Sequence, residues 1–533
     1  MTSTSPRSRW LAPCLCLALL ASCAHRPARF ADRAPITVVA DDAPIAQPGR
    51  RELNWDWYIS DVYLRRSLLD ALDPNRPEDA GDVNSFDEVP HSSWYQPEGP
   101  ELALLDPPLL DEGPPMLPLT LFPDVPRASD DGLCVVDARG VRYELRRDGG
   151  GRPEMRTSAA AISSRLIRAV GLLAPEVHIV FLSLENFAVP KGRPEAVPPT
   201  LRRFLQSGPP SVDGLYRMSA TRWPVGVDAG ISDAFDVRGD DPNDVVPHRN
   251  RRTLRALKVL GAWLAISSIN PRKTRDAYVG QPGEGHLRHY IVGLEDTLGA
   301  GSIVGAQKKE GLRTDLGGGP GFNFLTFGLW PGSDGTPTQT TLLAVGNIDE
   351  NVDPGGFKAS PPYAPIAHVR AADGYWAAKR IAAIPVRTIL EAVQSASIRD
   401  LTATRRLVEV LIVRRHLVVK HWYSQVTPAE VERVHGRFVV LSDDAVSRGI
   451  APIGTTRYHA WVLDDGGAEL VRFPPYELPA ASFGFEIPAN VLANRDRLVL
   501  RVQAEVDGQM RPRVCDVHLR PLPDAVRVIG VRH

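Results

Sequence analysis

Seven residues between positions 240 and 252 have side chains suited to chemistry. Asp240, Asp241, Asn243, Asp244 and His248 fall within nine residues, and Arg251 and Arg252 follow. Oxygen ligands at that density, with one imidazole, suit Mg²⁺ or Ca²⁺. Asp240, Asp241 and Asp244 are therefore candidate metal ligands. Asp240, Asp241 and His248 are candidate catalytic groups of a metal-dependent phosphotransferase or hydrolase. A second reading needs no metal. Carboxylates ahead of a helix accept its free N–H groups and favour its positive end. Asp244 stands just before an apolar run expected to be one helix over 249–268, with Leu254, Leu257, Val259, Leu260, Trp263, Leu264 and Ile266. Pro271 requires that helix to stop before it. Both readings stand at this point. HExxH, GxSxG and EF-hand patterns are absent.

Arg146 and Glu154 are the second pair of candidate catalytic groups, on position alone. Arg146 is the penultimate residue of GLCVVDARGVRYELRR (132–147), whose alternation and Asp137–Gly140 turn predict a hairpin. Glu154 opens a helix with a face of small residues through Ala159, Ala160 and Ala161. A strand follows over Val177–Leu182, then a short helix near Leu201–Leu205 and a strand near Gly214–Ala220. A basic strand, an acidic helix, a long helix, a polar loop and a strand before an acidic turn is a kinase-like order. In that chemistry a Lys places the ATP phosphates, a Glu orients the Lys, a loop Asp accepts the hydroxyl proton, and an Asn and a second Asp hold metal.

The chain resembles a family of uncharacterised secreted bacterial lipoproteins, itself similar to HipA-like and atypical kinase folds. The resemblance rests on DVNSFDEVPHSSW at 82–94, YELRR at 143–147, PEM at 153–155, DDPNDVVPHRNRR at 240–252 and HYIV at 289–292. It covers most of residues 50–425 and implies a kinase-like two-lobed domain, with a small β-rich lobe and a large helical lobe. A nucleotide and a divalent metal are the cofactors it implies. The family carries Lys where this chain has Arg146, Asp near Ser268, Asn at Lys273, and Asp-Phe-Gly at Gly293-Leu294-Glu295. Four polar roles are thus altered together. Arginine keeps the charge but not the geometry of lysine. Gly293 offers a metal no side chain, and Lys273 puts a cation where a ligand would sit. Glu295, Asp296 and Asp276 are the acids that a shifted register would bring in. The resemblance therefore implies a pseudoenzyme that binds a ligand or a protein. A purely structural envelope assembly protein is the other non-enzymatic reading.

Export signals frame this domain. Arg7 and Arg9 precede an apolar run from Trp10 to Ala21, and Leu20-Ala21-Ser22-Cys23 has the form of a lipobox. Residues 1–23 are read as a lipoprotein signal peptide with Cys23 as the lipidation site. The bilayer is then a partner through acyl chains such as palmitate. Ala24 carries no obvious inner-membrane retention signal, which favours the outer membrane, facing the periplasm or the surface, in a Gram-negative host. An envelope protein is the other partner expected. Residues 24–50 are expected to be a flexible tether, rich in Ala, Pro and Arg. A formal charge of −1, from 62 basic and 63 acidic residues, argues against nucleic acid as a partner.

The whole chain reads as α+β. The kinase-like domain is expected over 51–425. It includes a polar loop at 82–95 with paired acids Asp87 and Glu88, and two late helices, 372–384 and 404–424. The loop is read either as functional or as a surface loop held by Asx and Ser turns. The glycine cluster at 317–321 lacks the Lys-Ser/Thr ending of a phosphate loop and reads as a long loop. Residues 430–533 alternate like an antiparallel β-sandwich-like domain. Cys134 and Cys515 are either a disulfide or two buried thiols.

Overall fold

The structure is a computed structural model that describes residues 28–66, 77–97, 113–122, 132–149, 151–189, 197–210, 212–266, 268–303, 306–307, 342–359, 361–477 and 480–533. The signal peptide, Cys23 and the glycine cluster at 317–321 lie outside the described residues. The fold is α+β, with helices and antiparallel sheets. Its contacts define two units. The larger holds Ile36–Asn84 and Glu88–Gln425; the smaller holds the described residues up to Pro35, Ser85–Asp87 and Val426–His533.

The larger unit begins with α1 (Trp55–Ser60). A five-stranded antiparallel sheet follows, from β1 (Thr120–Leu121), β2 (Gly132–Val136), β3 (Arg142–Arg146), β4 (Val177–Leu182) and β5 (Tyr216–Arg222), in the order β1-β2-β3-β5-β4. Helix α2 (Met155–Val170) leaves the sheet after β3 and buries its face of small residues. Glu154, at its start, has a left-handed φ of 69° and makes no cap with its side chain. Asp148 caps instead. It accepts from Arg156 N at 2.8 Å, and from Thr157 N at 3.0 Å and Thr157 Oγ1 at 2.6 Å. A short helix, α3 (Pro199–Gln206), precedes β5.

The helix expected over 249–268 is two shorter ones, α4 (Arg252–Arg255) and α5 (Leu257–Leu264). Arg251 is extended, so the run starts late. Ala265 turns left-handed at φ 51° and ends it early. Arg414, fully buried, donates to Trp263 O at 2.9 Å and also to Ala262 O, which satisfies carbonyls that the helix end leaves free. A three-stranded sheet joins β6 (Val227–Gly230), which precedes these helices, to β7 (Thr274–Val279) and β8 (His286–Ile291), which lie between them and the acidic turn in sequence. A two-stranded ribbon, β9 (Ser302–Ile303) with β10 (Ala306–Gln307), comes next.

The late helical region has a short α6 (Ala364–Ala367) and three longer helices where two were expected: α7 (Ala371–Ala382), α8 (Val386–Ser395) and α9 (Leu401–Tyr423). Trp376 and Trp422 are both buried, as core anchors. The described part of the expected tether, 28–50, makes specific contacts, and from Ile36 it joins the larger unit. Val39 N donates to His91 O, Ile45 N to Gly285 O and Arg51 N to Ala229 O, and Ile45 is buried. Low hydrophobicity did not free this stretch, because its backbone groups found partners on the larger unit.

In the smaller unit all strands are antiparallel. One sheet is β11 (Ala429–His435), β12 (Phe438–Asp443) and β16 (Ser482–Glu486). The other runs β14 (Glu469–Arg472), β13 (Thr456–Leu463), β17 (Leu498–Val506), β19 (Cys515–Pro521), β20 (Val526–Arg532), with β15 (Tyr476–Glu477) on β13 and β18 (Gln509–Met510) on β17. Both contribute to one apolar core, with Leu441 and Phe485 from the first and Val462, Leu500 and Val517 from the second. Cys134 and Cys515 are two buried thiols in separate units, not a disulfide.

Helices α7 and α9 meet at Gly374, where a Cβ would lie 1.9 Å from the Trp422 ring. Gly374→Ala is expected to cost about 2 to 3 kcal/mol by overpacking. Urea unfolding checks this; an unchanged midpoint would show that the two helices do not pack through this position.

Candidate functional site

The cluster at 240–252 lies at the edge of a buried charge network centred on Trp94. Asp276, on β7, has no exposed surface. Its Oδ1 lies 2.8 Å from His289 Nδ1 and accepts from Ser232 Oγ, and its Oδ2 lies 2.8 Å from Arg238 Nη1. Arg238 is also fully buried. It donates to Ala229 O at 3.0 Å and Gly49 O at 2.7 Å. Its backbone N donates to Asp244 Oδ2 at 2.6 Å. Asp244 further takes His248 Nε2 at 2.7 Å and the Arg251 guanidinium. The Trp94 ring stacks on His289 at 3.7 Å between centroids, meets the edge of His248 at 4.9 Å and carries Arg251 at 4.6 Å. Loop, strand and helix start are thus held by one aromatic ring between two histidines and an arginine.

This geometry decides the roles of the sequence candidates. Asp240 turns to Arg238 at 2.8 Å and is nearly half exposed. Asp241 accepts from Asn243 N at 2.9 Å in a local turn. Both ring nitrogens of His248 face acceptor oxygens, Asp244 at 2.7 Å and the Asp233 carbonyl at 2.6 Å, so neither is open to act as a base. Among the described residues no three His, Cys, Asp or Glu are grouped to hold a metal. The metal and catalytic readings of Asp240, Asp241, Asp244 and His248 therefore give way to a structural one. Asp244 does not cap α4 either. Asp82 does, through Thr253 N at 3.2 Å and Thr253 Oγ1 at 3.0 Å. The loop at 82–95 is likewise structural, and its paired acids diverge. Asp87 faces His533 at 3.1 Å in the smaller unit, and Glu88 takes Trp376 Nε1 at 3.0 Å and the Lys379 ammonium in the larger.

Arg146 and Glu154 are not brought together. Arg146 bonds Glu295 Oε1 at 2.7 Å and Glu144 Oε1 at 3.0 Å, while Glu154 takes Arg399 N at 3.0 Å. Three cations meet the acidic pair after β8. Besides Arg146 on Glu295, Asp296 takes Arg156 at 2.9 Å on one oxygen and Lys273 Nζ at 2.8 Å on the other. Lys273 Nζ also donates to Gly293 O at 2.7 Å. Gly293 has a φ of 69°, and a Cβ there would lie 2.8 Å from Lys273 Cδ. The missing side chain at 293 thus makes room for the lysine at 273. Burial raises the Asp296 pKa, but Lys273 and Arg156 outweigh it and hold it below the usual range. Burial pushes Glu144 up. Ser268, Asn270, Lys273, Gly293 and Tyr363 line a narrow apolar cavity whose free interior is about 10 Å³, room for about one water.

Sequence reasoning missed Arg238, in a loop with no motif around it, and gave no role to His289, the first residue of the HYIV stretch. It missed Asp373, which joins Arg252 at 3.0 Å and Arg255 at 2.9 Å; the only signal was two arginines inside an otherwise apolar helical run.

No family model matches the chain, and no curated protein or solved structure is significantly similar to it.

Asp276 and Asp244 yield a pH prediction. Burial disfavours the charge of each, but for Asp276 the partners His289, Ser232 and Arg238 hold the pKa down at about 2, against 3.8 unfolded. For Asp244, hydrogen bonding and charge from His248, with Arg251 and Arg238 N, hold it well below the usual range. A depressed folded pKa gives stability that is complete above the unfolded value and is lost as the pH falls through the folded one. Asp276→Asn is expected to cost about 3–5 kcal/mol near neutrality by stranding Arg238. The gap between wild type and variant should narrow by about 2 kcal/mol between pH 5 and pH 2. Urea unfolding across that range checks both; a gap independent of pH would contradict the paired-carboxylate assignment.

Proposed function

We propose that this chain is an exported lipoprotein, anchored through acylated Cys23 to the outer membrane, whose larger unit is a two-lobed kinase-like scaffold that has lost phosphotransfer and works by binding a protein partner in the envelope. In this reading the sheet β1–β5 with α2 is the small lobe and helices α4–α9 are the large one. Support comes from helix α2 following the strand that carries Arg146, as a kinase's glutamate-bearing helix follows its lysine strand. The smaller unit, two antiparallel sheets on one core, fits the β-sandwich-like appendage.

One observation carries the loss of chemistry. Lys273 puts its ammonium between Gly293 O and Asp296, where phosphotransfer needs a metal ligand and a metal. With Arg146 on Glu295 and Arg156 on Asp296, the acids after β8 are already matched by cations. These features favour protein binding over nucleotide binding.

ATP with Mg²⁺ is therefore expected to leave the melting temperature where ATP or Mg²⁺ alone leaves it, with no transfer of labelled phosphate to protein or water. A Mg²⁺-dependent rise with ATP, or any transfer that survives purification, would overturn the reading. Separately, Cys23→Ala should move the protein from the membrane to the soluble fraction; unchanged partitioning would refute the anchor.

A further inference from the structure

Residues 28–33 cross the outer face of the larger sheet of the smaller unit. Arg29 pairs with Asp465 at 2.7 Å, in the turn between β13 and β14. Asp32 pairs with Arg527 of β20 and lies 3.9 Å from Arg520 of β19. Between these ends the Phe30 ring meets His518 edge to face at 4.7 Å, with the Arg532 guanidinium 4.5 Å from its centroid. Gly530 leaves the room for it, since a Cβ there would lie 2.4 Å from Phe30 Cδ2. Burial on this face pushes His518 down to about 4. The segment is therefore docked through a ring, a gap cut for that ring and charged contacts at both ends.

Its direction matters because of what precedes it. From Cys23 to Ala28 there are 28 − 23 = 5 residue steps, which span at most ~18 Å at ~3.6 Å per step. Arg29 sits on Asp465, so an acyl chain on Cys23 enters the bilayer close to the Asp464–Ala468 turn. Trp461 and Arg472 stand beside that turn, 5.6 Å apart, a pair suited to the headgroup layer. The charges around the turn are mixed, with Asp464, Asp465 and Glu469 beside Arg29 and Arg472. The length of the leash selects this face more than net charge does.

We propose that the Asp464–Ala468 turn and the sheet face beside it rest on the lipid surface, held there by the docked Phe30 segment. The proposal rests on the lipid-anchor reading of Cys23.

The test uses full-length lipidated protein, reconstituted in phosphatidylethanolamine and phosphatidylglycerol vesicles containing a nickel-chelating lipid. A nitroxide is placed at Ala468→Cys, on the turn, or at Glu486→Cys, on the outer face of the opposite sheet. Cys134 and Cys515 are buried and leave the label specific. Relaxation by headgroup nickel should be several-fold stronger at 468 than at 486. Phe30→Ala should keep flotation with the vesicles and abolish most of that difference, because undocking through Pro35 lengthens the leash to 35 − 23 = 12 steps. Gly530→Ala, which expels the ring from the other side, should do the same. Flotation with equal relaxation at the two sites, or a difference that both variants preserve, would overturn this proposal alone. Wild-type protein that fails to float would overturn the anchor reading and this proposal with it.

Discussion

The larger unit depends on two buried carboxylates that cannot be left unpaired. Asp276 and Asp244 lie in the interior, where an ion costs several kcal/mol unless its partners are in place. Arg238 joins them, with its guanidinium on Asp276 and its backbone N–H on Asp244. Trp94 fills the space between the histidines that complete each pair. Loop 82–95, the three-stranded sheet and the start of α4 can reach these distances only together. The network specifies one arrangement of the region more than it adds stability, because apolar residues of similar volume would pack there at less cost in desolvation.

The acids that drew attention as chemistry are spent on this architecture. Asp244 is saturated by three donors, and His248 has both nitrogens engaged. A catalytic carboxylate needs an open lone pair, and the buried Asp244 has both oxygens engaged. The acidic turn after β8 follows the same pattern. Its two acids are held by Arg146, Arg156 and Lys273, and Gly293 gives up a side chain so that the lysine fits. Lys273 and Gly293 are therefore linked in packing terms: a side chain at 293 would crowd the lysine.

The α+β class, the hairpin over 132–146, the strand at 177–182 and the β-rich last hundred residues were legible from alternation and turn residues, which act locally. Helix ends were not. Apolar periodicity runs on to Ile266, but the backbone leaves the helix at Ala265, where tertiary contacts such as Arg414 on the Trp263 carbonyl accompany the end. Helix α8 was passed over, and Pro385, just ahead of its first turn, stands at the N-cap, where proline is tolerated. In the site, residue types were legible and pairings were not. Arg146 and Glu295 lie 149 positions apart, and the pairing of Glu154 with Arg399 has no signature in the residue itself.

The central claim is that the chain's own cations occupy the place a metal and its nucleotide would need. A crystal structure of the protein grown with Mg²⁺ and a non-hydrolysable ATP analogue tests it most directly. The account predicts Lys273 Nζ still bonded to Gly293 O and Asp296, with neither metal nor nucleotide in the cavity beside Ser268. A Mg²⁺ ion on Asp296 with Lys273 swung aside would contradict it.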